Sequence, residues 1–187
     1  MRIIGGAYRG RALAPVGKGD AGAHLRPTTD RTRESLFNML TGGRFGDPLT
    51  NARVLDLFAG TGALGLEALS RGAAQATFVD DGRKAQTLIG KNIALCNAKS
   101  QSEIFRRDAR KLGPCPSPPF SLIFLDPPYG KGLGETALAA AFDNNWIAPG
   151  ALVVWEESAP ITAPQWLTLL DARRYGDTTI TLLEAAP

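Results

Sequence analysis

The chain has 187 residues, of which 44% are apolar and 21% are charged, as in ordinary globular proteins. No apolar run approaches the ~18 residues of a membrane helix, and the N-terminus has no apolar stretch of the kind that directs secretion. The two cysteines form no CxxC pair. We therefore expect a cytoplasmic protein with reduced cysteines, large enough for one well-buried domain and a small appendage.

The net charge of +3 is unevenly distributed along the chain. Residues 1–53 carry nine Lys or Arg against four Asp or Glu, and the remainder carries 12 against 14. A basic end on a near-neutral body is typical of a surface that binds an anion such as nucleic acid. A solvated charged face would give the same count, so both interpretations stay open.

The N-terminal part is predicted to be a separate basic extension. Residues 1–25 are rich in glycine and arginine, and residues 2–4 and 11–13 are predicted to form a short β-hairpin, followed by a glycine-rich loop. The rest of the chain, residues 26–187, is predicted to form the main domain.

The main domain is predicted to open with a helix. Its first residue is expected near Thr29 or Asp30, either of which can cap the N-terminus, and its end near Gly42. The apolar residues between 36 and 40 define its buried face, and we expect Arg31 and Arg33 on the opposite, exposed face.

From residue 54 onward, short apolar runs alternate with amphipathic stretches. Strands are predicted at 54–58, 76–80, 103–106, 121–125 and 150–156, and helices at 63–71, 82–95 and 134–144. This alternation indicates a mostly parallel sheet with helices on both faces. Two last strands, 166–170 and 178–184, are separated by a turn at residues 175–177 and must be antiparallel. The predicted fold class is α/β, with seven strands and an antiparallel C-terminal hairpin.

Residues 60–65 (GTGALG), here called the glycine loop, match G-x-G-x-x-G between a predicted strand and a predicted helix. Their glycines let a ligand approach the backbone at the start of a helix. Asp80 follows the next strand, twenty residues after Gly60, where a carboxylate can accept both hydroxyls of a ribose. The pattern predicts a cofactor that contains a nucleoside.

A carboxylate four residues before the glycine loop narrows the choice of cofactor. Asp56 would repel the pyrophosphate of a dinucleotide but suits an ammonium or sulfonium group, and S-adenosylmethionine has both. Asp108, after the third strand, could then accept from the adenine amino group, cap the short helix that follows, or do both. An NAD-dependent oxidoreductase is the alternative, and cofactor binding would distinguish the two.

The fourth predicted strand ends in Asp126-Pro127-Pro128-Tyr129, here called the acceptor turn. The prolines stop the strand and stiffen the turn, which presents carboxylate and carbonyl acceptors beside an aromatic ring. Such groups suit a planar substrate with an NH₂ group. A base in a duplex cannot enter such a pocket, so the target must be flipped or unpaired.

The chain resembles the class I amino-methyltransferases, whose signature is [DNS]-P-P-[YFW], and more closely the RsmD family of bacterial 16S ribosomal RNA guanine-N2 methyltransferases. The likeness runs nearly end to end. It is carried by MRIIGG (1–6) with RGR (9–11), by RPT (26–28) with RE (33–34) and LFN (36–38), by VLDLFAG (54–60) with GLEALSRGA (65–73), and by LDPPY (125–129). The N-terminal blocks are the more family-specific part. Asp80 stands where the family often has Glu, and Thr61 where it often has Ser.

The resemblance implies the Rossmann-like class I methyltransferase fold and a particular reaction. S-adenosylmethionine would donate a methyl group to N2 of a flipped guanine, of the guanine 966 type, in 16S ribosomal RNA already assembled with small-subunit proteins. Independently of the resemblance, we expect a monomer, and no bound metal, because His24 is the only histidine and lacks partner ligands. The acceptor turn alone specifies only an amino group, so adenine N6, cytosine N4 and a protein glutamine stay open as targets. A non-catalytic RNA-binding module is a further alternative.

These considerations give three sets of candidate residues. Cofactor binding is predicted for Asp56, Phe58, Ala59, Gly60, Thr61, Gly62, Asp80, Asp81, Asp108 and Ala109. Catalysis is predicted for Asp126, Pro127, Pro128 and Tyr129. Binding of the RNA substrate is predicted for Arg2, Arg9, Arg11, Arg26, Thr28, Arg33 and Lys131.

Overall fold

The computed structural model describes residues 1–17 and 29–187. Its α-helices are α1 (Asp30–Thr41), α2 (Ala63–Ser70), α3 (Arg83–Leu95) and α4 (Leu133–Asp143). Its strands are β1 (Arg53–Leu57), β2 (Gln75–Val79), β3 (Ser102–Phe105), β4 (Phe120–Leu125), β5 (Ile147–Glu157), β6 (Leu167–Tyr175) and β7 (Thr178–Ala185). None of the described helices is long and apolar enough to cross a membrane.

The strands form one seven-stranded sheet in the order β3-β2-β1-β4-β5-β7-β6. The first five strands pair in parallel, whereas β7 is antiparallel to both β5 and β6. This confirms the predicted α/β sheet and its C-terminal hairpin, which turns between Tyr175 and Thr178. Strand β6 is longer than predicted because its pairing with β7 continues to Tyr175. Strand β5 starts earlier than predicted, at Ile147, which pairs with Phe120 of β4.

Helices cover both faces of the sheet. Helices α1, α2 and α3 pack on one face against residues such as Phe124 and Val154, and α4 packs on the other face against residues such as Trp155. Successive strand residues point to opposite faces. By this alternation, Asp126 and Glu156 continue the face of Phe124 and Val154, on which α1 lies.

The two arms of the predicted N-terminal hairpin pair antiparallel over a short stretch. The N–H of Ile3 donates to the carbonyl of Arg11 at 3.0 Å, and the N–H of Leu13 donates to that of Met1 at 3.1 Å, around a single bridge between Arg2 and Ala12. A 3₁₀-helix at Gly6–Tyr8 lies in the connection between the arms. Ile3 and Leu13 are buried and belong to the same hydrophobic cluster as α1 and α2. The segment is therefore packed against the main domain.

Side chains of α2 limit the extent of this pairing. Glu67, which is fully buried, accepts the N–H groups of Ile4 and Gly5 at 2.8 Å each. Ser70 accepts the N–H of Tyr8, also at 2.8 Å. The N–H groups that a longer hairpin would pair are thus bound by side chains of a helix instead.

The expectation that Arg33 faces solvent is wrong. Its side chain is fully buried, and it donates to the carbonyl of Arg2 at 2.8 Å and to Asp30 in an ion pair at 2.5 Å. Arg33 precedes Leu36 and Phe37 by three and four residues, so it belongs to the same helical stripe as these core side chains. A buried guanidinium cannot contact RNA in this conformation, and the proposed RNA contact of Arg33 stays a prediction.

Candidate active site

The candidate site lies where the strand order reverses direction, between β1 and β4. Ligands of open α/β sheets bind at this position, outside the carboxyl ends of the strands. The N–H of Asp126 donates to the carbonyl of Leu57 at 3.4 Å, so the acceptor turn begins directly beside the end of β1. The glycine loop and the acceptor turn, 60 residues apart in sequence, therefore flank the same crevice.

The chain between β1 and α2 has an unusual backbone. Phe58, Gly60 and Gly62 all have positive φ angles, of 59°, 57° and 75°. Glycine adopts this conformation readily, whereas for phenylalanine it is uncommon and often marks a functional site. Ala59 and Thr61, which alternate with these residues, are buried. The turn folds tightly enough to present its backbone to the crevice.

Asp80 holds this turn in place. Its carboxylate accepts from the N–H of Gly60 at 2.9 Å and from the N–H of Gly82 at 2.8 Å. Burial raises the pKa of Asp80, and the two N–H donors oppose that shift. Each carboxylate oxygen has a second lone pair, so acceptance of ribose hydroxyls stays compatible with these bonds. Asp81 is exposed, and its proposed contact with the cofactor stays a prediction.

Asp56 lies beneath the glycine loop. It is 1% exposed, and one oxygen accepts from the N–H of Gly65 at 3.0 Å. Burial raises the pKa of Asp56 to about 8, against the effect of this N–H and with a contribution from the charge of Asp80. Among residues 1–17 and 29–187, no Lys or Arg lies within salt-bridge distance of either carboxyl. Two acidic groups without a cationic partner there fit a cofactor that carries positive charge.

The raised pKa of Asp56 leads to a prediction about pH and stability. The folded protein holds this proton more tightly than the unfolded chain, whose aspartate has a pKa near 3.8. Its contribution to stability is therefore fully present below about pH 4 and is lost as the pH rises toward 8, at up to about 1.4 kcal/mol per pH unit. We expect Asp56→Asn to remove this part of the pH dependence.

Chemical denaturation of both proteins at several pH values between 4 and 9 would measure this. The difference between the two free energies of unfolding isolates Asp56, because all other titrating groups are common to both proteins. The expected result is an Asp56→Asn protein whose advantage over the wild type grows as the pH rises. Two curves that run parallel would show that Asp56 titrates normally.

Asp108 caps the short 3₁₀-helix at Ala109–Lys111, as one of its two sequence interpretations predicted. Its carboxylate accepts the N–H of Arg110 at 2.9 Å and forms an ion pair with the guanidinium of the same residue at 2.6 Å. These bonds hold the pKa of Asp108 below its usual range. The adenine contacts proposed for Asp108 and for the buried Ala109 stay predictions.

The acceptor turn leaves β4 as expected from its prolines. Pro127 is buried, whereas Asp126, Pro128 and Tyr129 are partly exposed. The hydroxyl of Tyr129 donates to Glu156 at 2.7 Å, so the ring is held by a neighbouring strand. The turn thus offers a carboxylate and the face of a fixed aromatic ring at the rim of the crevice.

The basic residues predicted to bind RNA have different surroundings. Arg2, Arg9 and Lys131 are exposed. Arg11 is also exposed, and its guanidinium donates to the carbonyl of Leu95 at 2.5 Å, at the end of α3. The RNA contacts proposed for these four residues stay predictions. Arg26 and Thr28 lie outside the described residues.

Four polar residues that support the site were not predicted from the sequence; they are Glu67, Asn92, Glu156 and Thr178. Asn92 is fully buried and donates to the carbonyl of Thr61 at 2.8 Å, while it accepts the N–H of Ala14 at 2.7 Å. It therefore joins the glycine loop to the N-terminal segment. A polar residue within the apolar stripe of a helix was the available signal, as at Arg33.

Comparisons with known proteins point to one family. A family model described as conserved hypothetical protein 95 matches residues 1–184. The chain is similar to ribosomal RNA small subunit methyltransferase D of Escherichia coli (strain K12), with 42% identity over 156 residues that cover 83% of this chain and 74% of the relative. It is also similar to the protein of the same name from Haemophilus influenzae, with 36% identity over 181 residues, 94% of this chain and 89% of the relative.

Solved structures agree with these relatives. The structure of yhhF from Escherichia coli matches with a TM-score of 0.81 and 37% sequence identity. The match covers 100% of this chain and 98% of yhhF, so the N-terminal segment and the C-terminal hairpin are included.

Proposed function

The chain belongs to the RsmD family of methyltransferases, and we propose that it transfers a methyl group from S-adenosylmethionine to N2 of a flipped guanine in small-subunit ribosomal RNA. Its fold is the Rossmann-like methyltransferase fold. The substrate class is supported by the names of the Escherichia coli and Haemophilus influenzae relatives. The proposed form of the substrate is an assembled or partly assembled 30S particle, and the proposed nucleotide is of the guanine 966 type.

One observation carries this proposal. The glycine loop, with Asp56 and Asp80 beneath and beside it, meets the acceptor turn in the crevice between β1 and β4. The first group suits a cationic nucleoside cofactor, and the second suits a planar amine. Their common position lets a methyl donor and an amino acceptor face each other.

The residues proposed to hold the cofactor are those of the β1–α2 turn and the acids around it. Asp80 would accept the ribose hydroxyls, and backbone N–H groups of the glycine loop would line the ligand. Asp56 would supply negative charge from below, because a cation nearby favours its ionised form. When bound, S-adenosylmethionine supplies a methyl group on a sulfonium, which is already a good leaving group.

The acceptor turn would activate the amine. An aromatic NH₂ is a poor nucleophile because its lone pair is delocalised into the ring. The Asp126 carboxylate and the Pro127 carbonyl can each accept one N–H, which orients the lone pair and stabilises the positive charge that develops on nitrogen. Stacking on the ring of Tyr129 would hold the base, with a contribution of roughly 1–3 kcal/mol.

The decisive experiment is transfer of a labelled methyl group to small subunits from a strain that lacks this protein. Digestion of the RNA to nucleosides should then place the label in N2-methylguanosine. Subunits from a strain that keeps the protein are the matched control and should take up little label. Label in methylated adenine or cytosine, or in protein, would show that the methyl acceptor is one of these groups and that the proposed guanine target is wrong.

Arg9 provides a test of the RNA contact. It is exposed, and its side chain forms no hydrogen bond within the part of the chain that the structure describes. If it neutralises one phosphate, Arg9→Ala should weaken RNA binding and reduce the slope of log K against log salt by about 0.7–0.9. Filter binding or co-sedimentation with small subunits at several salt concentrations would measure the slope.

A matched control is Arg44→Ala. Arg44 is also exposed, but it pairs with Asp171 and lies after the C-terminal end of α1, near the amino ends of the strands. We expect its slope to equal that of the wild type. An unchanged slope for Arg9→Ala would remove Arg9 from the RNA contact.

A further inference from the structure

The hydroxyl of Tyr129 is bound at two points. It donates to Oε1 of Glu156 at 2.7 Å and lies 3.0 Å from Oγ1 of Thr178. A tyrosine hydroxyl has a single proton. Because that proton goes to the carboxylate, the hydroxyl of Thr178 must be the donor in the second bond. Burial raises the pKa of Tyr129, which keeps this arrangement protonated at neutral pH.

The two partners belong to different strands. Glu156 lies in β5 and is only 6% exposed, and the β4–β5 register pairs Leu125 with Trp155, which places Glu156 beside Asp126. Thr178 is the first residue of β7, directly after the hairpin turn. The ring is therefore fixed to two adjacent strands of the sheet, one of which belongs to the C-terminal hairpin.

The same groups line a cleft beside the acceptor turn. Its volume is ≈ 590 Å³, within the range of small-molecule sites and large enough for one nucleotide. Its lining includes Tyr129, Glu156 and Thr178, with the first turn of α1 and the β6–β7 turn around them. Tyr129 is thus a wall of a cavity, and the orientation of its ring fixes the shape of that cavity.

We propose that Glu156 and Thr178 are positioning residues that hold the ring of Tyr129 at the angle required for stacking of the target base. The inference rests on the proposed function. A phenol ring that is free at its hydroxyl turns about two side-chain bonds, and stacking on it would leave the amino group poorly aligned. The paired hydroxyl fixes the ring before the base arrives. The C-terminal hairpin thereby contributes to the site through Thr178, without touching the reacting atoms.

The test is a double-mutant cycle between Thr178 and Tyr129. Thr178→Val removes the donor with little change of shape, and Tyr129→Phe removes both bonds of the ring at once. We expect each single variant to lower kcat about tenfold, with the affinity for S-adenosylmethionine unchanged. The kcat of the double variant should lie within about twofold of that of Tyr129→Phe, because the Tyr129→Phe protein already lacks the hydrogen bond from Thr178.

Two controls separate positioning from a general loss of structure. Thr178→Ser keeps the hydroxyl and should recover most of the rate that Thr178→Val loses. Thr179→Val changes the next residue of β7, which points to the opposite face of the sheet, and it should have the wild-type kcat. Thermal unfolding of each variant would identify any that does not fold.

The outcomes distinguish this inference from the proposed function. A wild-type protein that does not methylate small-subunit RNA would overturn the function. Two results would overturn the positioning role alone while the wild type is active. One is a double variant whose loss of kcat equals the product of the two single losses, and the other is a Thr178→Val protein with the wild-type kcat. If Thr178→Val fails to fold, the cycle is run with Glu156→Met in its place, which removes the acceptor of the Tyr129 hydroxyl, and multiplicative effects again count against the inference.

Discussion

Replacing Asp126 by alanine is expected to lower the rate of methyl transfer by about 10²–10³-fold, because it removes one of the two acceptors proposed for the substrate amine. The substituted side chain lies after the end of β4 and is only partly buried, so we expect the fold to persist. Single-turnover transfer of labelled methyl to small subunits would measure the rate. Calorimetric titration with S-adenosylmethionine and co-sedimentation with small subunits should give wild-type affinities.

Two companion variants make this result specific. Asp126→Asn keeps a carbonyl oxygen that can accept one N–H, so its rate should lie between those of the wild type and Asp126→Ala. Asp143→Ala removes an exposed carboxylate at the far end of α4 and should leave the rate unchanged. Full activity of Asp126→Ala would exclude the acceptor turn from the reaction, and an inactive wild type that still binds RNA would favour a non-catalytic RNA-binding module.

The part of the molecule that sequence reasoning predicted well is the part whose signals are local. Strand β4, for example, is an apolar run with prolines close to both ends, and the two-residue turn between Tyr175 and Thr178 forces β6 and β7 to be antiparallel. The glycine loop and the acceptor turn were placed together because both follow parallel strands, whose carboxyl ends share one edge of a sheet.

The prediction for Arg33 was wrong because its charge was given more importance than its position in the helix. Arg33 was expected to be exposed because it is charged, yet its spacing from Leu36 and Phe37 places it in the buried stripe. A buried cation is tolerated there because Asp30 and the carbonyl of Arg2 accept from it. Helical spacing was the more reliable signal at this site.

Other features could not be predicted, because they depend on contacts that are distant in sequence. Glu67 binds backbone groups more than 60 residues away, and Asn92 joins two segments 31 and 78 residues away. No periodicity marks such pairs in a single sequence. The hydrogen bonds of Tyr129 belong to the same class, since Thr178 lies 49 residues further along the chain.

Replacing Gly65 by alanine is expected to lower the free energy of unfolding by about 1–3 kcal/mol and to weaken S-adenosylmethionine binding at least tenfold. Gly65 lies in the first turn of α2, and a Cβ atom there would overlap the ring of Phe78, which is fully buried. The same atom would lie 3.2 Å from the Asp56 oxygen that accepts the N–H of Gly65. To relieve the overlap, α2 must shift away from β2, and the preceding turn must move with it.

Gly90→Ala is the matched control, because Gly90 lies within α3 and the added methyl group would have no atom within 4 Å apart from the neighbouring residues and backbone of its own helix. That change should raise the free energy of unfolding by about 0.5–1 kcal/mol, since alanine has a higher helix propensity than glycine, and should leave cofactor affinity unchanged.

A second variant, Gly65→Ala with Phe78→Leu, removes much of the obstructing ring. Recovery of stability with continued loss of cofactor affinity would assign the binding defect to the glycine loop and Asp56, whereas recovery of both would assign it to the contact with Phe78. Wild-type stability and affinity in Gly65→Ala would contradict the close approach of α2 and β2.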